Sequence, residues 1–242
     1  MYFCMTIFES GIGISKNGNS MKLRQIFFVV IFLFGLLSCS GNRQASKTSE
    51  AVPVEAMSDM ASSVKSLAID ADGSDVKWTG YKPTGKHWGE VKIASGEIRI
   101  DPKTLLVLGG KIVLDMNSIE VDDLDDNSPD KVKLETHLKS EDFFNVKEFP
   151  EGLFEVTGSE PIEGSKAQML SGNLTLKGET LNVSFRVTVT KGGEGEYEAM
   201  SETIVLDRTK WGINYASKNI FKDLKDNFID DHFEVVLEIE AR

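Results

Sequence analysis

The stretch Ser128-Pro-Asp-Lys-Val-Lys-Leu-Glu-Thr-His-Leu-Lys-Ser140, running on through Glu-Asp-Phe-Phe-Asn-Val-Lys-Glu-Phe-Pro150 to Glu-Gly-Leu-Phe-Glu-Val-Thr-Gly158, decides the fold. Ser128 suits a helix N-cap, Pro129 the first helical position and Asp130 the positive end of the helix dipole. Leu134 and Leu138 are four apart and share one helical face. Ser140 is placed to cap a second short turn that carries Phe143 and Phe144. Pro150 stops that turn, and Leu153 to Thr157 resumes as a strand. The chain on both sides reads as β-structure. One short helix and an aromatic pair between two runs of strands predict a lid on the mouth of a sheet closed on itself.

Outward from this stretch the apolar residues recur with period two, the mark of half-buried strands. Val76, Trp78 and Gly80 share one face of Asp75 to Lys82, and Ile98 and Ile100 share one face of Gly96 to Asp101. Ile112, Leu114 and Met116 alternate with Lys111 and Asp115. Leu174 and Leu176 alternate with Asn173, Thr175 and Lys177. The cleanest run is Leu181, Val183, Phe185, Val187 and Val189 against Asn182, Ser184, Arg186, Thr188 and Thr190, which puts Asn182 on the wetted face. Phe233, Val235, Leu237 and Ile239 repeat the pattern near the C-terminus. Asp72-Gly73, Gly109-Gly110, Gly178-Glu179 and Gly192-Gly193 read as turns between strands.

One apolar and one polar face mark an antiparallel sheet, either a sandwich or a barrel. Strands of about ten residues, about 33 Å long, joined by tight hairpins favour an up-and-down barrel. The expected fold is mainly β: an antiparallel lipocalin-like barrel of about eight strands with one short helix near one mouth. A barrel of that size either fills itself with side chains or holds one small ligand. Alternation alone leaves both open for the stripe of Trp78, Leu174, Leu176, Val183, Phe185, Val187, Val235 and Leu237.

The N-terminal quarter is not domain-like. Met21-Lys22-Leu23-Arg24 reads as the true start, Ile26 to Leu37 as the apolar core of a signal peptide, and Leu36-Leu37-Ser38-Cys39 as a lipobox. This divides the chain into a signal peptide over 1–38, a flexible tether over 39–63 after a lipidated Cys39, and the barrel domain over 64–242. Acyl chains on Cys39 carry enough methylenes, at about 0.8 kcal/mol each, to anchor the protein. The expected location is exported and lipid-anchored to a bacterial membrane, with the domain in the periplasm or at the cell surface. The formal net charge is −11, and removing Lys16, Lys22, Arg24 and Glu9, which precede Cys39, takes it to −13. Such a balance argues against nucleic acid as a partner.

Signals for catalysis are thin. His87, His137 and His232 form no metal-binding pair, and no cysteine in the domain could complete a zinc site. Asp122-Asp123-Leu124-Asp125-Asp126 lacks the glycine and glutamate of a calcium loop in any register, so it reads as a solvated acidic loop. No phosphate-binding or nucleophile motif is present, and no cofactor is implied. Arg208-Thr209-Lys210-Trp211 is the one cationic–aromatic cluster. Its cations either meet a ligand head group at the mouth or satisfy neighbours such as Asp207.

Three ordered blocks carry a resemblance. His137-Leu138-Lys139-Ser140-Glu141-Asp142-Phe143-Phe144 with Phe149-Pro150, Gly172 to Gly178, and Asp207-Arg208-Thr209-Lys210-Trp211-Gly212-Ile213 with Asp230-Asp231 together resemble the YceI-like family. The resemblance implies a lipocalin-like envelope protein that holds a long-chain isoprenoid lipid, a polyisoprenoid or isoprenoid quinone, and is not an enzyme. It turns the inward stripe from Trp78 to Leu237 into a tunnel wall. It also makes Leu138, Phe143 and Phe144 the lid, with His137 fixing it, and Arg208, Lys210 and Trp211 the mouth.

Overall fold

The computed structural model describes residues 45–54 and 64–242, which belong to one compact unit. The expected signal peptide, Cys39 and much of the expected tether lie outside the described residues. In chain order the strands are β1 (Thr48–Glu50), β2 (Lys65–Lys82), β3 (Gly85–Val91), β4 (Ile93–Ile100), β5 (Val107–Asp115), β6 (Glu120–Val121), β7 (Glu151–Pro161), β8 (Ala167–Leu176), β9 (Glu179–Lys191), β10 (Tyr197–Ser201), β11 (Ile204–Asp207) and β12 (His232–Ala241). The single α-helix among them, α1, spans Pro129–Lys139.

These strands build eight antiparallel staves. β3 and β4 form one interrupted stave along β2, paired from Lys82↔Gly85 to Val76↔Val91 and then from Ala68↔Glu97 to Lys65↔Ile100. β5, β7, β8 and β9 follow, each paired with its predecessor. β10 and β11 are two pieces of the next stave along β12. β12 then pairs with β2 from Phe233↔Gly80 to Ala241↔Ile69 and closes the ring. Each stave neighbours those adjacent in sequence, so this is an up-and-down barrel.

Period-two alternation turns one residue in two inward. In β9, Val183, Phe185, Val187 and Val189 are buried while Arg186 is exposed. Lys177 and Gly178 both have positive φ (46° and 81°), which suits the two-residue hairpin that joins β8 to β9. Gly192-Gly193 lies in the turn between β9 and β10, but the remaining two expected glycine turns are not turns. Asp72-Gly73 lies within β2, beside the irregularity between Glu238 and Glu240. There Ser74 Oγ accepts from the Glu240 N–H at 2.9 Å and donates to Asp70 O at 2.6 Å. Gly109-Gly110 lies within β5, where a Cβ on Gly110 would come within 2.6 Å of Glu97 O. Both glycine sites mark places where a long strand bends, which a turn signal in sequence does not distinguish from a reversal.

Residues read as tether are also part of the wall. β1 pairs with β9 through Thr48↔Val183, Ser49↔Asn182 and Glu50↔Leu181.

Helix α1 begins as its sequence requires, with Ser128 Oγ accepting from the Asp130 N–H at 3.2 Å. The Ser140 hydroxyl does not cap a following turn. It donates to His137 O at 2.8 Å and closes α1, while the Ser140 carbonyl accepts from the Phe143 and Asn145 N–H groups. Lys131 is buried and donates to Asp126 (2.8 Å) and Glu120 (3.1 Å). Those bonds raise its pKa, the Asp126 bond most, and lower that of Asp126. The acidic loop is therefore not simply solvated: Asp126 holds the helix, and Asp123 Oδ1 accepts from the Trp88 N–H at 3.0 Å.

Gly89 in β3 lies against the Glu120 carbonyl of β6, and a Cβ there would overlap that oxygen. Gly89→Ala is expected to force β6 off β3 and lower stability by about 1–3 kcal/mol. Denaturant titration measures the loss, and exchange of the Asp122 amide, which donates to Trp88 O at 2.9 Å, locates it.

Candidate functional site

The two halves of the barrel interior are filled differently. At the end where β2 begins, Leu67, Ile69, Ile98, Ile100, Val107, Val156, Leu170, Val187, Val189 and Ile239 pack as a solid core. Gln168 seals that end: its Oε1 accepts from the Val107 N–H at 2.8 Å and its Nε2 donates to Leu105 O at 2.9 Å. At the other end, beneath α1, the side chains stop short of one another and enclose a cavity of about 270 Å³.

The floor of this cavity is Val76, Val91, Ile112, Phe154, Phe185 and Leu237. The Phe154 and Phe185 rings lie 5.6 Å apart, tilted by 43°. Phe154 lies directly over Gly172, where a Cβ would overlap the ring, so glycine in β8 is what lets the ring lie flat to the wall. Trp78, Leu174, Leu176, Val183 and Val235 continue the lining upward. The expected wall residues thus line one cavity with one exception. Val187 is two residues past Phe185 on the same face and falls in the solid half. The cavity is blind at this end, because Leu67, Ile69, Val187 and Val189 below the floor are buried and outside its lining.

Over the top sit α1 and the turn after it. Leu138 and Phe143 are buried, Phe144 is partly buried, and all three line the cavity. His137 packs edge-on against Phe143 (5.1 Å) and Tyr215 (4.5 Å). It is set between the lid and the segment after β11.

The mouth differs from expectation. Trp211 is fully buried, outside the cavity lining, and its indole N–H donates to Leu174 O at 3.0 Å. Lys210 is exposed and does not reach the cavity. A 3-10 turn over Arg208–Trp211 produces this split by sending the ring inward and the lysine out. Arg208 does line the cavity, and its guanidinium is 5.7 Å from the centre of the Phe143 ring. Four of its five N–H donors are already used, however. They go to Ile213 O (2.7 Å), Ile229 O (3.0 Å), Asp230 O (3.0 Å) and Asp231 Oδ1 (3.4 Å). Burial pulls the Arg208 pKa below its ordinary value, against the opposing effect of Asp231 and its acidic neighbours. Arg208 is the clamp that holds the 213–231 segment beneath the lid.

Of the polar groups at the opening, Tyr81, Lys82 and His87 come from a hairpin that carries no motif, and Asp230 comes from the third sequence block. Lys82 Nζ donates to His87 Nε2 at 3.0 Å, and His87 Nδ1 in turn donates to Asp123 Oδ2 at 2.8 Å. A lysine ammonium can only donate, so this chain places the His87 proton on Nδ1. Lys82, His87, Tyr81 and Asp230 all line the opening. Nothing in sequence marks Lys82 and His87, because a lysine and a histidine flanking a hairpin look like any solvated turn. Phe154 and Ile112 were legible as inward residues of their strands, but not as a floor. Among the described residues no cluster of three or more His, Cys, Asp or Glu is placed to hold a metal.

A closed eight-stave barrel with one blind, apolar pocket defines the class that can hold a single apolar body inside and present one end of it to solvent. The chain belongs to the YceI-like domain family, whose model matches residues 67–241. Over 81 residues it is 35% identical to a UPF0312 protein of Pseudomonas putida strain W619, a match that covers 32% of this chain and 42% of that protein. Among solved structures it is similar to BcnA of Burkholderia cenocepacia, with a TM-score of 0.58 and 19% identity over 72% of this chain and 99% of that one. It is also similar to a polyisoprenoid-binding domain of Saccharophagus degradans implicated in plant cell wall breakdown, with a TM-score of 0.52 and 11% identity over 73% and 97% of the two chains. These structural likenesses establish the fold.

If Arg208 is a clamp, Arg208→Ala strands three backbone carbonyls and Asp231, an expected loss of about 3–5 kcal/mol. Lys210→Ala, in the same turn but exposed, is expected to leave the denaturation midpoint unchanged. Paired urea melts distinguish the two.

Proposed function

We propose that this protein is an envelope lipoprotein, acylated at Cys39, whose barrel carries or stores a long-chain apolar lipid of the polyisoprenoid class, an isoprenoid quinone included. It is a binding protein and not an enzyme. The observation that carries the reading is the blind pocket beneath α1. Its floor and walls are aromatic and aliphatic side chains, and its few polar groups sit at one end. That arrangement suits a molecule with a long hydrocarbon body and a short polar end. Each methylene taken from water into such a lining gains about 0.8 kcal/mol. An apolar wall gives no directional contacts, so the pocket selects by width and depth, and the polar opening reads the end. The likeness to a barrel described as polyisoprenoid-binding adds support for the ligand class.

Phe185→Asp puts a carboxylate into the pocket floor with no partner, a cost that binding cannot absorb. The control is Arg186→Gln, exposed on the outer face one residue away. Asn182 would be a poor control because it is buried and donates to Asn173 Oδ1 and Thr157 Oγ1. Mass spectrometry of lipid extracted from folded protein should find ligand in the wild type and the Arg186→Gln variant and none in Phe185→Asp. Equal lipid in all three, or none in wild type from an isoprenoid-producing host, refutes the reading.

The anchor is tested separately. Cys39→Ser is expected to move the protein from the membrane fraction to the soluble fraction, and retention of the variant on membranes excludes acylation at this position as the anchor.

A further inference from the structure

The barrel wall has one seam. β9 is paired with β10 only from Lys191↔Tyr197 to Val187↔Ser201. Beyond Glu202, whose N–H still donates to Arg186 O at 3.0 Å, the stave continues as β11, which stays on β12 but does not rejoin β9. The gap between β9 and β11 is filled by the segment Ala45 to Glu50. On one side it forms the three-residue ladder of β1 with β9. On the other, the Ser46 N–H donates to Val205 O at 2.7 Å and Ser46 Oγ accepts from the Val205 N–H at 3.3 Å. Just past β1, the side-chain amide of Asn173 grips the Val52 backbone, accepting from its N–H at 3.0 Å and donating to its carbonyl at 2.6 Å.

Two properties of this seam stand out. Val183 on β9 and Ile204 and Leu206 on β11 all line the cavity, so the gap lies directly over the pocket. The segment that fills it is also lightly held. From Ala45 to Val54 no residue is buried, and the side chains are small or exposed. Its attachment is a few backbone hydrogen bonds, each worth about 1 kcal/mol net, whereas every neighbouring stave is also held by buried apolar side chains. The far end of the pocket is solid, and the near end lies under α1 and the Phe143–Phe144 turn.

We infer that residues 45–54 are a removable stave, and that their withdrawal opens a lateral slot between β9 and β11 through which the hydrocarbon chain of the ligand enters and leaves. The inference rests on the ligand reading above. A slot along the wall admits a long chain sideways from a bilayer, without drawing it lengthwise through water. If Cys39 is the anchor, Ser46 is only seven positions past it, a reach of about 25 Å at full extension. The stave and the seam it closes then sit on the membrane side of the barrel.

The test is a lock. In full-length protein with Cys4→Ser and Cys39→Ser, the directly opposed pair Glu50 and Leu181, neither of which lines the cavity, is changed by Glu50→Cys and Leu181→Cys. Uptake of a fluorescent farnesyl probe from phosphatidylcholine vesicles is then timed. Oxidation is expected to slow uptake about tenfold or more, as expected of a gate held shut, with reduction restoring the rate and the amount bound at saturation unchanged. Ser46→Pro, which removes both contacts to Val205, is expected to speed uptake. In ligand-free protein the Val205 and Val52 amides should exchange faster than those of the solid half. Equal uptake by oxidised and reduced forms, with normal binding, overturns the slot and leaves the pocket intact. Absence of binding in every form, wild type included, overturns the pocket and the slot together.

Discussion

The pairing of β12 with β2 is the interaction on which the rest depends. It runs from Phe233↔Gly80 to Ala241↔Ile69 and joins the last strand to the first long one. A sheet with two free edges must bury its apolar face against a second layer. A sheet closed on itself supplies its own second layer, and only then can part of the interior be left unfilled without exposing backbone. The closure also ties the two ends of the chain's fold together: Ala68 and Arg242 exchange backbone hydrogen bonds at 2.9 Å in both directions.

Within that ring the solid and hollow halves divide the work. The solid half fixes strand register, since a slip of one residue would turn its apolar residues outward. The hollow half is shaped by what is laid over it. Lys131 ties α1 to Glu120 and Asp126, and Arg208 ties the 213–231 segment to itself. Both cations are buried, and each is spent on holding a cover in place. An acidic chain therefore uses its few buried positive charges as fasteners around the mouth, while the pocket keeps an apolar lining.

Much of this was legible in sequence, and the parts that were not have physical causes. The long strands, the helix start at Ser128 and the inward stripe of β9 are local patterns, and local patterns survive into the fold. Glycine pairs misled because a bulge within a long strand and a turn between two strands need the same backbone freedom. The extent of the pocket was not legible. Val187 and Phe185 have the same pattern and spacing, and only their height along the barrel axis puts one in the core and the other at the floor. Trp211 and Lys210 could not be sorted, because a 3-10 turn sends neighbours in opposite directions. The stave at β1 was hidden for a different reason: Ser, Thr, Lys and Glu look like linker wherever they occur, and β1 is a strand only because β9 and β11 leave a place for it.

The hollow half has a consequence for how the protein ages. Side chains facing an empty apolar space lack partner atoms on one side, so they forfeit the dispersion contacts that a packed core would provide. A chain whose pocket is filled regains them and is harder to unfold than the same chain empty. Proteases that act on transiently opened chains would thus remove empty copies faster than occupied ones. If the barrel holds a lipid as proposed, the abundance of the protein would then follow the supply of that lipid.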